Sequence, residues 1–272
     1  QMCIRDRYRD CSFTATPDLP VHPDQVASAP VGDTPEKRAE NLRGYYAAIS
    51  AMDAGIGTIL SKLEQEGLSD NTIVIFTADN GMNMGHHGIW GKGNGTYPQN
   101  MYDTAIKVPL IIRMPGGKKG AVCHQMASQY DFYPTMLELA GCSWEKEPMQ
   151  PGKSIVSLIR QPEEEAPDRV VVFDEYSNTR MIRTKKWKYV DRYPDGPNQL
   201  FDMEKDPEEL ENAAENPAYG EILAGLQRRL ADFVLFHSTG KVYRNRQELQ
   251  LRKQEELDAQ AERMKGFIRE RW

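Results

Sequence analysis

A short apolar run ends directly on residues whose side chains could bind a cation and an anion together. Asp79 and Asn80 follow the run at once, and a glycine-rich loop then carries His86, His87 and Lys92. The carboxylate and the amide oxygen are hard donors that suit calcium or magnesium. The lysine ammonium could neutralise an oxyanion, and an imidazole could protonate a leaving oxygen. This convergence indicates a cation-assisted site for an anionic substrate.

The run itself, from Asn71 to Ala78, is predicted to be a β-strand of an α/β protein. Its centre, Ile73 to Phe76, is apolar throughout, as in strands that are covered on both faces. Ligands of open α/β sheets bind at the carboxyl ends of such strands, so the segment from Asp79 to Gly81 is expected at the mouth of a site. A plain tight turn at this segment and a solvated histidine pair stay open as alternatives, because the same residues favour bends and surface loops.

Further motifs lie in order on both sides of this run. They are Tyr45–Gly57, Thr77–Gly81, Gly85–Gly88, Trp90–Lys92, Tyr102–Ile112, Met114–Gly117, Ser128–Leu137, Ile182–Tyr189 and Leu200–Pro207. By these motifs the segment from Asn41 to Gly117 resembles the type I sulfatases of the alkaline phosphatase-like superfamily, and the resemblance spans most of the chain. It implies part of a mixed, mainly parallel sheet flanked by helices, with a small C-terminal antiparallel sheet and a covering helix.

The resemblance implies a role for each polar group near the run. Asp79 and Asn80 look like two ligands of the family's single calcium ion, and Lys92 looks like the lysine that holds the sulfate group. His87 occupies the position of the histidine in the family's Gly-x-His-Gly and is preferred as the catalytic histidine, with His86 as a substrate-binding residue. Which of the two histidines enters the site stays open. The separation of 13 positions between Asp79 and Lys92 resembles the iduronate- and choline-sulfatase-like branches.

The nucleophile that the resemblance implies is missing from the sequence. The family uses a formylglycine made from a Cys/Ser-x-Pro/Ala-x-Arg motif, and here only Cys3 and Arg7 have the spacing, with Arg5 where Pro or Ala is needed. Residues 1–7 resemble translated sequencing adapter and are interpreted as foreign to the fold, an ordinary charged N-terminus being the alternative. We therefore expect a fragment that is inactive alone. Its parent would need a formylglycine-generating or equivalent maturation enzyme.

Composition limits the classes of protein that fit. The 272 residues carry a formal net charge of −6, which argues against a nucleic-acid binder. The longest apolar runs, around Ile73 and from Val108 to Ile112, are too short to span a bilayer. The four cysteines lack zinc-binding spacing, and a bridge between Cys123 and Cys142 stays open. The resemblance favours a periplasmic or secreted protein, with a cytoplasmic one as the alternative.

The sequence pattern divides the chain into four parts. They are an irregular lead (1–33), the C-terminal half of a catalytic domain (34–150), a small α+β subdomain (151–240) and a charged helical tail (241–272). Thr34 and Pro35 predict the start of a helix that runs to about Glu66. Its apolar positions recur at helical spacing and predict a stripe that faces the core.

The remaining elements are predicted from apolar periodicity and turn residues. They are a strand at 108–113, a helix from about Pro134 to Ala140, short strands at 170–175, 180–183, 186–190 and 200–202, and a helix at 218–236. The acidic residues Glu163–Glu165 are interpreted as a solvated loop rather than a metal site.

Three functions are weighed for the parent protein. The first is hydrolysis of a sulfate ester, with sugar sulfates, glycosaminoglycans and small alkyl sulfates all open as substrates. The second is a phosphonate monoester or phosphodiester hydrolase of the same superfamily, whose pocket would share the metal and the lysine. The third is a nonhydrolytic sulfoglycan-binding relative that has lost the nucleophile.

Overall fold

The computed structural model describes residues 2–27, 31–145, 147, 149–162, 168–174, 177–194 and 196–239. The chain divides into two compact units, Gln1–Gly117 and Lys118–Trp272. The predicted tail at 241–272 and the acidic segment Glu163–Glu165 lie outside the described residues, and the predicted domain bounds stay predictions. In the described part, no helix has both the length and the apolarity of a membrane span.

A long helix, α2, dominates the first unit. It spans Pro35–Gln65, and the Thr34 side chain caps it by accepting a hydrogen bond from the Lys37 backbone N–H at 3.3 Å. Glu66 ends it, and Gly67 follows with a φ of 65°, so both predicted boundaries are confirmed. A shorter helix, α1 (Met2–Asp6), lies against it, with Arg5 paired to Glu40. Whether residues 1–7 are foreign stays a prediction.

The predicted core-facing stripe of α2 is only partly buried. Leu42 is fully buried, whereas Ile49, Met52 and Ile59 are 40%, 47% and 63% exposed. The expectation of a covered stripe is therefore wrong for this chain by itself, since the described residues supply no layer over most of that face. Apolar periodicity indicates which face of a helix is to be covered, but the covering element must be present for burial to occur.

The strand that leads to the site pairs with one other strand. β1 (Val74–Thr77) follows a 3-10 turn at Ser69–Asn71 and runs antiparallel to β4 (Leu110–Arg113). β1 is half-buried rather than covered on both faces, and in β4 Ile111 is 63% exposed. Both predicted strands exist, and among the residues that the structure describes β1 and β4 pair only with each other, as an antiparallel two-stranded sheet.

A two-residue ladder sits beneath the glycine-rich loop. β2 (Asn83–Met84) pairs antiparallel with β3 (Trp90–Gly91). The side chains of Met84 and Trp90 join Phe13 and Leu42 in a buried cluster. The lead segment adds Gln25, whose side-chain amide accepts from the Trp90 N–H at 2.8 Å and donates to the Trp90 carbonyl at 3.0 Å. The lead segment therefore fixes the loop from the other side. A short helix, α3 (Asp103–Ile106), follows the loop.

The second unit contains the predicted small antiparallel sheet and its helix. The elements are α4 (Phe132–Leu139), α5 (Val156–Arg160), the strands β5 (Arg169–Phe173), β6 (Arg180–Thr184), β7 (Trp187–Asp191) and β8 (Gln199–Asp202), and helix α6 (Gly220–Thr239). The strands pair in sequence order. Leu226, Leu230 and Val234 of α6 pack on Ile182 and Leu200 of the sheet, which confirms the predicted covering helix.

One charged pair is buried in this sheet. Lys188 of β7 lies with its ammonium beside the Glu209 carboxylate, Nζ to Oε1 2.5 Å, and their side chains are 0% and 2% exposed. Glu209 has a φ of 57°, a conformation uncommon outside glycine. Removal of one member of such a pair costs about 3–5 kcal/mol, because the other charge stays in a medium of low dielectric.

Candidate active site

The Asp79 carboxylate and the Lys92 ammonium meet just beyond the end of β1. The distance from Lys92 Nζ to Asp79 Oδ2 is 3.9 Å, and the side chains are 52% and 86% exposed. An ion pair so open to water contributes only about 0.2–1 kcal/mol to stability. The pair therefore does little for the fold, and both charges are accessible to a ligand from solvent.

Local hydrogen bonds orient the two predicted metal ligands. The Asn80 backbone N–H donates to Asp79 Oδ1 at 2.9 Å, and the Asn80 side-chain amide donates to the Gly81 carbonyl at 2.8 Å. Because the NH₂ group faces that carbonyl, the amide oxygen of Asn80 points the other way. Asp79 and Asn80 thus present hard oxygen atoms of the type that calcium prefers.

Gly81 is required where the chain turns away from these ligands. Its N–H donates to the Ala105 carbonyl at 2.8 Å, and a Cβ at this position would come within 2.3 Å of the Thr104 carbonyl oxygen. Only a residue without a side chain can approach the start of α3 so closely. The docking fixes the Asp79–Asn80 turn against the backbone that follows the loop.

The two neighbouring histidines have different surroundings. His86 Nδ1 accepts a hydrogen bond from the Met84 backbone N–H at 3.3 Å, and burial lowers the pKa of His86. His87 has a φ of 55° and stacks on Tyr102, with ring centroids 3.7 Å apart and an angle of 10° between the planes. Burial thus favours the neutral form of His86, whereas the His87 ring is held flat against an aromatic face. Their catalytic and binding roles stay predictions.

A buried amide holds the backbone of the Lys92 loop. Asn100 is fully buried, and its side chain donates to the carbonyls of Lys92 and Gly93 at 3.2 and 3.0 Å and to the Thr96 hydroxyl at 3.3 Å. Sequence reasoning missed this residue and Asn83, which contacts it. Asparagine is common in glycine-rich loops, and no local signal distinguishes a buried amide from a solvated one.

The donor set matches a hard cation by type but supplies only part of a coordination shell. Among the described residues, no group of three or more His, Cys, Asp or Glu side chains is placed to hold a metal ion. Calcium takes about six to eight oxygen ligands. Asp79 and Asn80 could supply two of them, and the others would come from substrate, water or residues outside the described part.

A cavity of about 630 Å³ is formed entirely by residues of the second unit. It lies between α6 and the turn that joins β6 to β7, and its lining includes Lys185, Trp187 and Arg229. The sequence-predicted site residues do not line this cavity. They lie on a loop open to solvent.

Models of two families match the chain. The family model "Sulfatase" matches residues 14–142, and "N-sulphoglucosamine sulphohydrolase, C-terminal" matches residues 85–234. The choline-sulfatase of Rhizobium meliloti (strain 1021) is 36% identical over 187 residues, which are 68% of this chain and 35% of that protein. The chain thus spans about a third of the length of this relative.

Two solved structures extend the likeness to three dimensions. BT4656 in complex with its substrate D-glucosamine-2-N,6-O-disulfate has a TM-score of 0.67 at 28% identity, over 74% of this chain and 42% of that one. The phosphonate monoester hydrolase of Agrobacterium radiobacter has a TM-score of 0.64 at 27% identity, over 75% and 43%. These neighbours confirm the predicted alkaline phosphatase-like α/β class.

Proposed function

Because the chain belongs to the sulfatase family, we propose that the protein of which it forms part hydrolyses a sulfate ester. The observation that carries the proposal is the meeting of Asp79 and Lys92 at 3.9 Å on an exposed loop beyond β1. Sequence reasoning named these two residues for opposite tasks, cation binding and sulfate binding. A sulfatase requires both tasks at one place.

Each side chain of the loop has a distinct task in this proposal. Lys92 binds the non-bridging oxygens of the sulfate group, where its charge offsets the negative charge that spreads over them during S–O cleavage. His87 gives a proton to the leaving oxygen, and its stacking on Tyr102 restricts the ring to one orientation. His86, whose neutral form is favoured by burial, binds substrate by a hydrogen bond rather than by charge.

Two components come from outside the side chains of this chain. One calcium ion held by Asp79 and Asn80 would add positive charge next to the sulfate oxygens. The nucleophile would be a formylglycine in a part of the protein that precedes this segment, made by a maturation enzyme. We expect this segment alone to bind anions weakly and to cleave none.

The substrate class in the proposal is a sulfate ester on a carbohydrate or another small organic molecule. BT4656 is a relative solved with a disulfated glucosamine, which supports a sugar sulfate. A periplasmic or secreted location would suit such a substrate and stays a prediction.

A second candidate is hydrolysis of a phosphonate monoester or a phosphodiester. The likeness to the phosphonate monoester hydrolase of Agrobacterium radiobacter, at 27% identity, favours it specifically. Its substrate is also an anion with non-bridging oxygens, so an ammonium and a hard cation would serve both reactions.

The test compares substrates on the full-length protein after coexpression with a formylglycine-generating enzyme. The kcat/KM values for 4-nitrophenyl sulfate, a 4-nitrophenyl phosphonate monoester and bis(4-nitrophenyl) phosphate are measured with calcium. We expect the sulfate ester to have the highest value. A higher value for either phosphorus ester would favour the second candidate. Binding of sulfated saccharides without any cleavage would favour the nonhydrolytic relative instead.

A further inference from the structure

Two buried asparagines lie directly beneath the loop that carries Lys92. We propose that one of them, Asn100, is a positioning residue that sets where the Lys92 ammonium stands relative to Asp79. The inference rests on the proposed function, because the anion-binding task of Lys92 belongs to it. Asn100 itself touches backbone and a hydroxyl, so its action on an anion is indirect.

The contacts of Asn100 converge on the turn that starts at Lys92. Its side-chain NH₂ lies 3.2 Å from the Lys92 carbonyl and 3.0 Å from the Gly93 carbonyl, and its backbone N–H donates to the Gly93 carbonyl at 2.9 Å. The same NH₂ group lies 3.3 Å from the Thr96 hydroxyl. One fully buried side chain therefore spans both sides of the turn at Gly93–Gly95.

The side chain of Asn100 is itself hydrogen-bonded to that of Asn83. The Asn83 amide donates to Asn100 Oδ1 at 3.5 Å, and Asn83 Oδ1 accepts from the Thr104 hydroxyl. Asn83 also faces Gly91 in the β2–β3 ladder. Gly91, the residue before Lys92, is thus paired with β2. The carbonyls of Lys92 and Gly93 accept from the Asn100 amide, and the oxygen of that amide accepts from Asn83.

The loop needs such a support because its neighbours cannot provide one. Lys92 lies between Gly91 and Gly93, which have no side chains to pack and which allow a wide range of backbone conformations. A lysine has a long, flexible side chain, so the position of its Cα decides which ammonium positions are within reach. A displacement of a catalytic charged group by about 1 Å can lower turnover about 100-fold.

The first measurement does not depend on activity. Lysines of the full-length protein are reductively methylated with ¹³C-formaldehyde, and the Lys92 methyl signal is assigned by its loss in Lys92→Arg. In the otherwise wild-type protein, freed of calcium with a chelator, Asp79→Asn should shift this signal, because the ammonium lies 3.9 Å from the carboxylate. In Asn100→Ala, the same Asp79→Asn change should no longer shift it.

The second measurement is a double-mutant cycle on sulfate ester hydrolysis. Asn100→Ala should lower kcat/KM about 10- to 100-fold in the wild-type background and less than twofold in the Lys92→Ala background. A purely structural loss of folded protein would lower both backgrounds by the same factor. Asn212→Ala is the control, since the Asn212 side-chain amide also donates to a backbone carbonyl, that of Asn198 at 3.0 Å, but in the other compact unit. It should leave Lys92 unaffected.

The outcomes separate this inference from the proposed function. If the protein cleaves no sulfate ester, the proposed function fails. The Lys92 methyl signal still tests whether Asn100 positions Lys92. A Lys92 signal that keeps its response to Asp79→Asn in Asn100→Ala overturns the positioning role, as do equal losses in both backgrounds. Should Asn100→Ala not fold, Asn100→Ser, which retains a donor, takes its place. If neither variant folds, Asn100 serves folding as such and the proposal is wrong.

Discussion

Replacement of Lys92 by alanine should separate activity from stability. The Lys92–Asp79 pair is 52% and 86% exposed at 3.9 Å, so its loss should lower the free energy of unfolding by no more than about 1 kcal/mol. The ammonium acts differently on a developing oxyanion. Loss of one well-placed donor of this kind lowers kcat by about 100- to 1,000-fold, or about 2.7–4 kcal/mol. The expected result is a large loss of turnover in a protein that unfolds almost normally.

The assay measures kcat/KM on an aryl sulfate and the urea midpoint of the same full-length preparations. Lys119→Ala is the matched control, because Lys119 is another exposed lysine and should change neither quantity by a measurable amount. Lys92→Arg keeps the charge but not the compact ammonium, so it should fall between wild type and alanine. A loss of turnover below tenfold in Lys92→Ala, with folding intact, would refute the role given to Lys92.

Three further substitutions probe the ion, the histidine and the core. Asp79→Asn should abolish calcium stabilisation, which is about 2.7 kcal/mol at a hundredfold excess over Kd, and an unchanged Tm response to calcium would contradict this. Tyr102→Leu should remove about 0.5–1.5 kcal/mol of stacking with His87 and lower kcat several-fold. A pH–rate profile identical to that of the wild type would contradict this role of Tyr102. Lys188→Met should destabilise the β-sheet by about 3–5 kcal/mol at pH 7, measured by hydrogen exchange of β7. A deficit below 1 kcal/mol would contradict the buried-pair argument.

Elements with local signals were predictable from the sequence. Thr34 and Pro35 identify the start of α2, and Gly67 identifies its end, because capping and left-handed backbone are properties of a few adjacent residues. The meander β5–β8 follows from alternating apolar positions and intervening turn residues. The association of Asp79 with Lys92 was also anticipated, since both follow one strand within a short loop.

Features that depend on distant contacts were not predictable. The side chain of Gln25 binds the backbone of Trp90 across 65 positions, and no periodicity records such a contact. The buried state of Asn83 and Asn100 arises from each other and from Thr104, so it exists only after the loop has folded. The exposure of Ile111 likewise depends on which layers cover β4 and not on the strand's own composition.

The charge balance of the loop explains why cation binding and sulfate binding must occur at the same place. The carboxylate of Asp79 and the ammonium of Lys92 neutralise each other at 3.9 Å, so the pair by itself offers an incoming sulfate almost no net attraction. A divalent cation on Asp79 and Asn80 would change the local charge from zero to about +2, and Lys92 would then be free to turn toward the anion. The formal net charge of −6 on this chain makes this local reversal more important, since the chain taken as a whole repels anions. In the proposed arrangement the Asp79 carboxylate would keep Lys92 at the site until a cation binds, and Lys92 would then be available to the sulfate.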